Sequence, residues 1–264
     1  MKLGITILGS GSKGNSILIH TDSSAILIDA GFSRKEMLLR IDKVGVDPAI
    51  IKAILVTHNH GDHVKGLRVL ADQLKIPAYV NSMTFKELKS KNLIGQNVLL
   101  FDTGNPFEID QFYIQPFNVP HDALEPVGFS IFPKLPRPDD LKIGIATDLG
   151  HLTNLVKTRL QNCDALILES NYDHHMLRKS ERKLSLKQRI SGKFGHLNNC
   201  DAIDAFDSLL SDNMKHLFLY HLSDECNTPE IVEKLASEKL INMGRNDINC
   251  LIASQDEPLE TVWL

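Results

Sequence analysis

Short apolar runs bounded by turn residues dominate the start of the chain. Leu3 to Leu8 is apolar and rich in β-branched residues, and Gly9-Ser-Gly-Ser-Lys-Gly14 turns it. Ser16 to His20 and Ala25 to Ile28 read as two more strands. Ser33 and Glu36 are spaced as a capping box and Gly45 is a stop signal, so the pattern predicts a helix between them. Ile51 to Val56 is short and nearly all apolar, the mark of a buried strand. The period then changes. Val64, Leu67, Val69, Leu70 and Leu74 give one apolar helical face up to Lys75, and Ser82 to Lys91 predicts a further short helix.

From Val98 to Thr147 the chain reads as strands and loops, with Pro133, Pro136 and Pro138 marking one irregular loop. After Asp148 the types alternate. Helices are expected at His151–Leu160, Asp201–Leu210 and Pro229–Leu240, and strands at Ala165–Glu169, His216–His221 and Ile248–Ala253. No repeat, low-complexity stretch or linker interrupts this order. Strand-rich halves interleaved with helices predict two sheets with helices outside, a four-layer αββα sandwich of the α/β class. A chain of 264 residues is short enough for one domain, residues 1–264.

Composition narrows the class. With 42% hydrophobic and 23% charged residues the chain is ordinary globular protein, not disordered, coiled-coil or collagenous. The net charge of −4 argues against a protein held to duplex DNA by bulk positive charge, but leaves nucleic acid open as a substrate. Cys163, Cys200, Cys226 and Cys250 form no C-x-x-C pair, so neither a zinc knuckle nor a redox motif is expected. Met1 to Ile19 lacks the pattern of a signal peptide, and no stretch approaches 18 apolar residues. A cytoplasmic protein without membrane partners is the expectation.

The chemistry concentrates in Ile54-Leu-Val-Thr-His58-Asn-His60-Gly-Asp62-His63. His58 and His60 lie two apart at a strand end, so both can reach one ion from the same side. Asp62 and His63 fall where the chain turns into a helix and can face a second ion. Nitrogen and oxygen ligands without thiolate suit zinc, manganese or iron. Four residues cannot saturate two metals, so further ligands are needed. His121, Asp148 and His221 are the candidates, the last two at expected strand ends.

This H-x-H-x-D-H motif after a strand, with Asp29 before it and His121, Asp148 and His221 after it, resembles the metallo-β-lactamase fold over essentially the whole chain. Within that superfamily the likeness is to the YycJ group, also called VicX or WalJ. It is carried by Gly9-Ser-Gly-Ser-Lys-Gly-Asn15, Leu168-Glu-Ser-Asn171, Gly195-His196-Leu-Asn198 and His221-Leu-Ser-Asp-Glu-Cys-Asn227. One departure is Asn198, where the group's pattern leads to Ser. The resemblance implies two divalent ions. His58, His60 and His121 would hold the first, Asp62, His63 and His221 the second, and Asp148 would bridge them. Asp29 would accept a hydrogen bond from a ligand imidazole. The absence of Cys from the ligand motifs disfavours β-lactam hydrolysis and leaves phosphodiesterases, nucleases and thioester hydrolases.

Two features tilt the choice towards phosphodiesters. By resemblance, His196 would point at the scissile phosphate and act catalytically beside Asp62, which would orient the nucleophile. The segment Asn171–Gly195 carries Arg178, Lys179, Arg182, Lys183, Lys187, Arg189 and Lys193 against Asp173 and Glu181, a positive surface suited to a phosphate backbone. The leading expectation is a metal-dependent 5′→3′ exonuclease, with DNA ahead of RNA as substrate. A thioesterase or lactonase, a ribonuclease, and a non-enzymatic regulatory partner are the rivals. The Gly9–Asn15 loop is read either as a phosphate cradle of backbone N–H groups or as a tight strand connection. Glu169 is read either as support for the metal shell or as a buried carboxylate with another partner. His20, His151, His174, His175 and His216 have no motif support.

Overall fold

The computed structural model describes residues 2–134 and 141–264. The first sheet is built from β1 (Gly4–Gly9), β2 (Ser16–His20), β3 (Ala25–Ile28), β4 (Ile51–Leu55), β5 (Ala78–Asn81) and β6 (Val98–Phe101). The second uses β7 (Phe107–Ile109), β8 (Phe112–Asn118), β9 (Val127–Pro133), β10 (Ile143–Ala146), β11 (Ala165–Glu169), β12 (His216–Tyr220) and β13 (Asn249–Ile252). The last strand, β14 (Val262–Trp263), returns to the edge of the first, giving the orders β14-β1-β2-β3-β4-β5-β6 and β13-β12-β11-β10-β9-β8-β7. In each sheet one half is antiparallel and the other parallel: β3 to β6 run parallel in the first, β10 to β13 in the second.

Side-chain alternation along the strands explains the layers. Ile26 and Ile28 of β3 join Ile5, Ile7, Phe112, Phe129, Ile145 and Ile167 in the core between the sheets. Ala25 and Leu27 of the same strand turn outward. They pack under helices α1 (Arg34–Lys43), α3 (Leu67–Leu74) and α4 (Ser82–Ser90), which supply Met37, Ile41, Leu67, Leu70 and Leu88. The second sheet is covered by α5 (Asn154–Leu160), α8 (Asn199–Asp204), α9 (Phe206–Leu209) and α10 (Pro229–Asn242). The result is the expected αββα sandwich. Two short helices, α6 (His174–Lys179) and α7 (Leu184–Ile190), occupy the basic segment.

Differences from the expected elements have local causes. The helix expected from Val64 is two pieces, α2 (Gly61–Val64) and α3, because the chain presses against the loop after β3 at Gly66, where an added Cβ would sit 2.1 Å from the Phe32 carbonyl oxygen. The helix expected over Asp201–Leu210 is broken into α8 and α9 at Ala205, and it starts at Asn199 because the Asn198 side chain caps it. Pro133 ends β9, while Pro136 and Pro138 lie outside the described residues. No described helix is long and apolar enough to cross a membrane.

Candidate metal centre

The parallel strands of both sheets end on the same side of the sandwich, and the polar residues collect there. Three of these strand ends bend into the left-handed region on a non-glycine residue: Asp29 after β3 (φ 63°), Asp148 after β10 (φ 54°) and His221 after β12 (φ 60°). Such backbone costs free energy for a residue with a Cβ, so it persists only where the surroundings enforce it. Here the loops interlock. Asn15 N–H donates to the Asp62 carbonyl (2.8 Å), Ala30 N–H to the His63 carbonyl (2.8 Å) and Gly31 N–H to the Asn15 carbonyl (3.0 Å). Gly31 is pressed so close that a Cβ would meet the Asp62 carbonyl oxygen at 1.8 Å.

On this frame the site residues converge. His58, His60 and His121 bring one ligand atom each to within 4.8 Å of one another, and so do Asp62, His63 and His221. Asp148 lies between the groups. Its carboxylate is 3.2 Å from His63 Nε2, 3.5 Å from His221 Nε2, 3.8 Å from His121 Nε2 and 4.0 Å from His58 Nε2. Asp62 Oδ2 is 3.3 Å from His221 Nε2 and 3.5 Å from His63 Nε2.

The outer nitrogens of four imidazoles are held by acceptors, which fixes their tautomers. His63 Nδ1 donates to Asp29 Oδ2 at 2.7 Å, and His121 Nδ1 to the Gly195 carbonyl at 2.9 Å. Thr57 Oγ1 donates to Asp29 Oδ2 (2.7 Å), so it accepts from His58 Nδ1 (2.9 Å). His221 Nδ1 faces Glu169 Oε1 at 3.2 Å, with the Asn171 amide nitrogen beside it at 2.9 Å. In the neutral ring each of these contacts leaves Nε2 as the lone-pair donor. His58 Nε2 is buried and makes no hydrogen bond. An orphaned buried nitrogen, surrounded by imidazoles and one carboxylate, fits a divalent cation bound by nitrogen and oxygen.

Electrostatics divides the two groups. Burial holds the His58 imidazole well below its ordinary pKa, and neighbouring His63 adds to this. Burial, then His121, lowers His60. Burial also works against charge on His63 and His221, but there the carboxylates win. Asp148, Asp62 and Asp29 hold His63 well above its ordinary value, and Asp148, Asp62 and Glu169 push His221 up to about 10. Burial favours the neutral form of Asp148, Asp62 and Glu169, yet the imidazoles beside them hold all three low.

The site opens into a cleft of about 340 Å³ whose walls include Ser12, Asp62, Asp148, Asn171, Arg182, Arg189, His196 and His221. His196 Nδ1 sits 2.7 Å from Glu169 Oε1. Of the seven basic residues singled out above, Arg182 and Arg189 line this cleft, each paired with an acid, Glu225 and Asp122. Arg178 and Lys187 line a second cavity of about 560 Å³ bounded by the other side of α7. Lys187 spends its ammonium on the Arg178 and Ser180 carbonyls (2.7 and 2.6 Å). Lys179, Lys183 and Lys193 are exposed and line neither cavity.

Four residues enter the site that the sequence reading gave no role. Thr57 links His58 to Asp29, Asn15 Nδ2 donates to Asp62 Oδ2 (3.1 Å), Asn171 Nδ2 donates to the His221 carbonyl (2.7 Å), and Asp122 Oδ1 lies 3.5 Å from His121 Nε2. Glu169 has both of the roles considered for it. Its Oε1 faces His196 and His221 while Oε2 accepts from the Leu149 and Leu197 N–H groups. The Gly9–Asn15 loop is mainly a strand connection. The N–H groups of Ser10, Gly11, Lys13, Gly14 and Asn15 are all bonded within the chain.

Residues 24–221 match the family model described as a beta-lactamase superfamily domain. The chain belongs to this superfamily. Its members bind divalent metals, and the donor clusters above are of that kind. The chain is 33% identical over 250 residues to exodeoxyribonuclease YycJ of Bacillus anthracis, covering 92% of this chain and 91% of that protein. It is also 33% identical over 230 residues to exodeoxyribonuclease WalJ of Streptococcus pneumoniae, covering 86% and 84%. In three dimensions it is similar to the metallo-beta-lactamase fold protein YhfI of Bacillus subtilis, with a TM-score of 0.72 at 16% identity, covering 98% and 99% of the two chains.

Proposed function

We infer that residues 1–264 act as one metal-dependent phosphodiesterase, an exonuclease that degrades DNA from the 5′ end. The observation that carries this reading is a sulfur-free donor set around Asp148 that opens into a cleft with His196 and two arginines on its walls. The two relatives named exodeoxyribonuclease support DNA as the polymer. The likeness to the YycJ group supports the polarity.

His58, His60 and His121 would hold one ion, Asp62, His63 and His221 a second, with Asp148 shared. Zinc or manganese suits these donors, with iron as a third choice. Such ions, when bound, supply an activated water at neutral pH and neutralise charge building on the phosphate. The protein's part is positioning and proton control. Asp29, through His63, fixes the second group, and Asp62, 23% exposed at the cleft, orients the attacking water. Glu169 accepts from His196 Nδ1 and so orients the ring, with Nε2 placed to pass a proton to the leaving oxygen. Arg182 and Arg189 take phosphate oxygens of the strand.

Elemental analysis of purified protein, followed by assays on 5′- and 3′-labelled DNA, RNA and a small diester with manganese or zinc, tests this reading. Stepwise 5′ release from DNA, falling steeply with salt, is expected. A protein that takes up no transition ion, or that hydrolyses a neutral thioester or lactone indifferent to salt and no phosphodiester, overturns it.

A further inference from the structure

Of the eleven phenylalanines, Phe194 is the one exposed, at 60%. It belongs to none of the apolar clusters that hold the sandwich together. The turn that carries it is nevertheless tied down by its neighbours' hydrogen bonds. The Gly195 N–H donates to the Gly192 carbonyl (2.9 Å) and the His196 N–H to the Ile190 carbonyl (2.8 Å). On one side of Phe194, the Lys193 carbonyl accepts from His151 Nδ1 (3.0 Å); on the other, the Gly195 carbonyl accepts from His121 Nδ1 (2.9 Å). The turn also rests directly on the strand end that carries Asp148. A Cβ at Gly150 would lie 2.3 Å from the Lys193 carbonyl oxygen, and one at Gly195 would lie 2.1 Å from that of Ile190.

An exposed aromatic ring on a hydrogen-bonded turn thus sits next to the cleft, one residue before Gly195 and two before His196, both of which line it. The ring leaves more than half of its surface in water, at a free-energy cost that the core clusters do not offset. Around it the chain is basic: Lys193 precedes it, and Arg189 and Arg182 lie on the cleft wall. A π-face beside positive charge on a fixed support is the pairing that holds a single nucleic-acid strand, whose bases stack while its phosphates meet the cations. We propose that Phe194 is a stacking platform for an unpaired nucleobase next to the scissile phosphate, a substrate-positioning residue that makes the site select a single-stranded end. This rests on the nuclease reading above.

The test compares wild type, Phe194→Ala, Phe194→Leu and Phe194→Trp on a single-stranded oligonucleotide and on the same oligonucleotide made abasic at its terminal positions. Binding is read by fluorescence anisotropy in the metal-depleted protein, and turnover in the metal-loaded protein. Phe194→Ala and Phe194→Leu are expected to raise Kd and KM for the normal strand about tenfold, with little change in kcat. Phe194→Trp restores both, and on the abasic strand all four proteins behave alike. Equal binding of the normal strand by wild type and Phe194→Ala overturns the platform while leaving the nuclease reading intact. A wild type that hydrolyses neither DNA nor RNA overturns both.

Discussion

The two donor groups look alike as lists of ligands and behave as opposites. His58, His60 and His121 contain no carboxylate of their own, and burial keeps His58 and His60 neutral. Asp62, His63 and His221 are enclosed by Asp29, Asp148 and Glu169, so without metal their imidazoles hold protons. In the second group protons stand in for the cation's charge; in the first nothing does, and His58 Nε2 is left bare. Metal uptake by the second group must therefore displace protons, whereas the first is ready to bind.

The most damaging way to probe this contrast is to remove what the groups share. Asp148→Ala is expected to lower phosphodiesterase activity by about a thousandfold or more and to reduce bound metal, measured by elemental analysis. Full metal content with full rate would break the picture of a shared carboxylate. Next, His196→Ala should lower kcat by about 10²–10⁴-fold while metal content stays intact, since its Nδ1 is taken up by Glu169 at 2.7 Å, although it lies in one donor group with Asp148, Glu169 and His221.

A smaller change separates the groups themselves. Asp29→Asn should weaken metal affinity of the second group, which it touches directly through His63, by about 10–100-fold, and that of the first less, because it reaches His58 only through Thr57; the readout is the two steps of a calorimetric titration. Equal weakening of both steps would show that the groups are not independent.

The pH response of the metal-depleted protein sharpens the same contrast. The His221 contribution is fully present below 6.5 and is lost as pH rises towards about 10; that of His63 fades in the same alkaline direction. His58 and His60 resist protonation in the fold, so they penalise it increasingly as pH falls below 6.5. The lowered Asp148 and Asp62 carboxyls contribute above about 3.8 and lose that contribution as pH falls further. The thermal midpoint in chelator should therefore peak near pH 6.5 and decline on both sides. A midpoint still rising at pH 9 would contradict the charge assignment. The smallest effect is expected from Asn198→Ser. The Asn198 side chain accepts from the Asp201 N–H at 2.9 Å, and Ser caps about as well, so stability should change by less than about 0.5 kcal/mol.

That last residue also marks what a sequence conveys. Asn198 departs from the expected Ser, yet the cap it makes is one either side chain can make. The strands from Leu3 to Val56 and the His58–His63 cluster were legible because their signals are local: an apolar run, a spacing of two, a turn. The alternation after Asp148 was legible for the same reason. The roles of Thr57, Asn15 and Asn171 were not, even though the last two close quoted motifs, because each side chain is an ordinary polar group until another segment arrives beside it. Asn171 meets His221 from 50 positions away, and Asn15 meets Asp62 from 47. The basic segment was visible as charge, but only the fold shows that Arg182 and Arg189 face the cleft while Lys187 caps its neighbours.

Asp29, Asp148 and His221 sit one or two residues past the ends of parallel strands, at the roots of the connections rather than farther out along them. Those connections are thus free to lengthen, shorten or acquire new side chains without moving the three anchors. A lineage inheriting this scaffold can re-tailor the mouth of the site for a new polymer or a smaller molecule while the centre beneath it stays as it was.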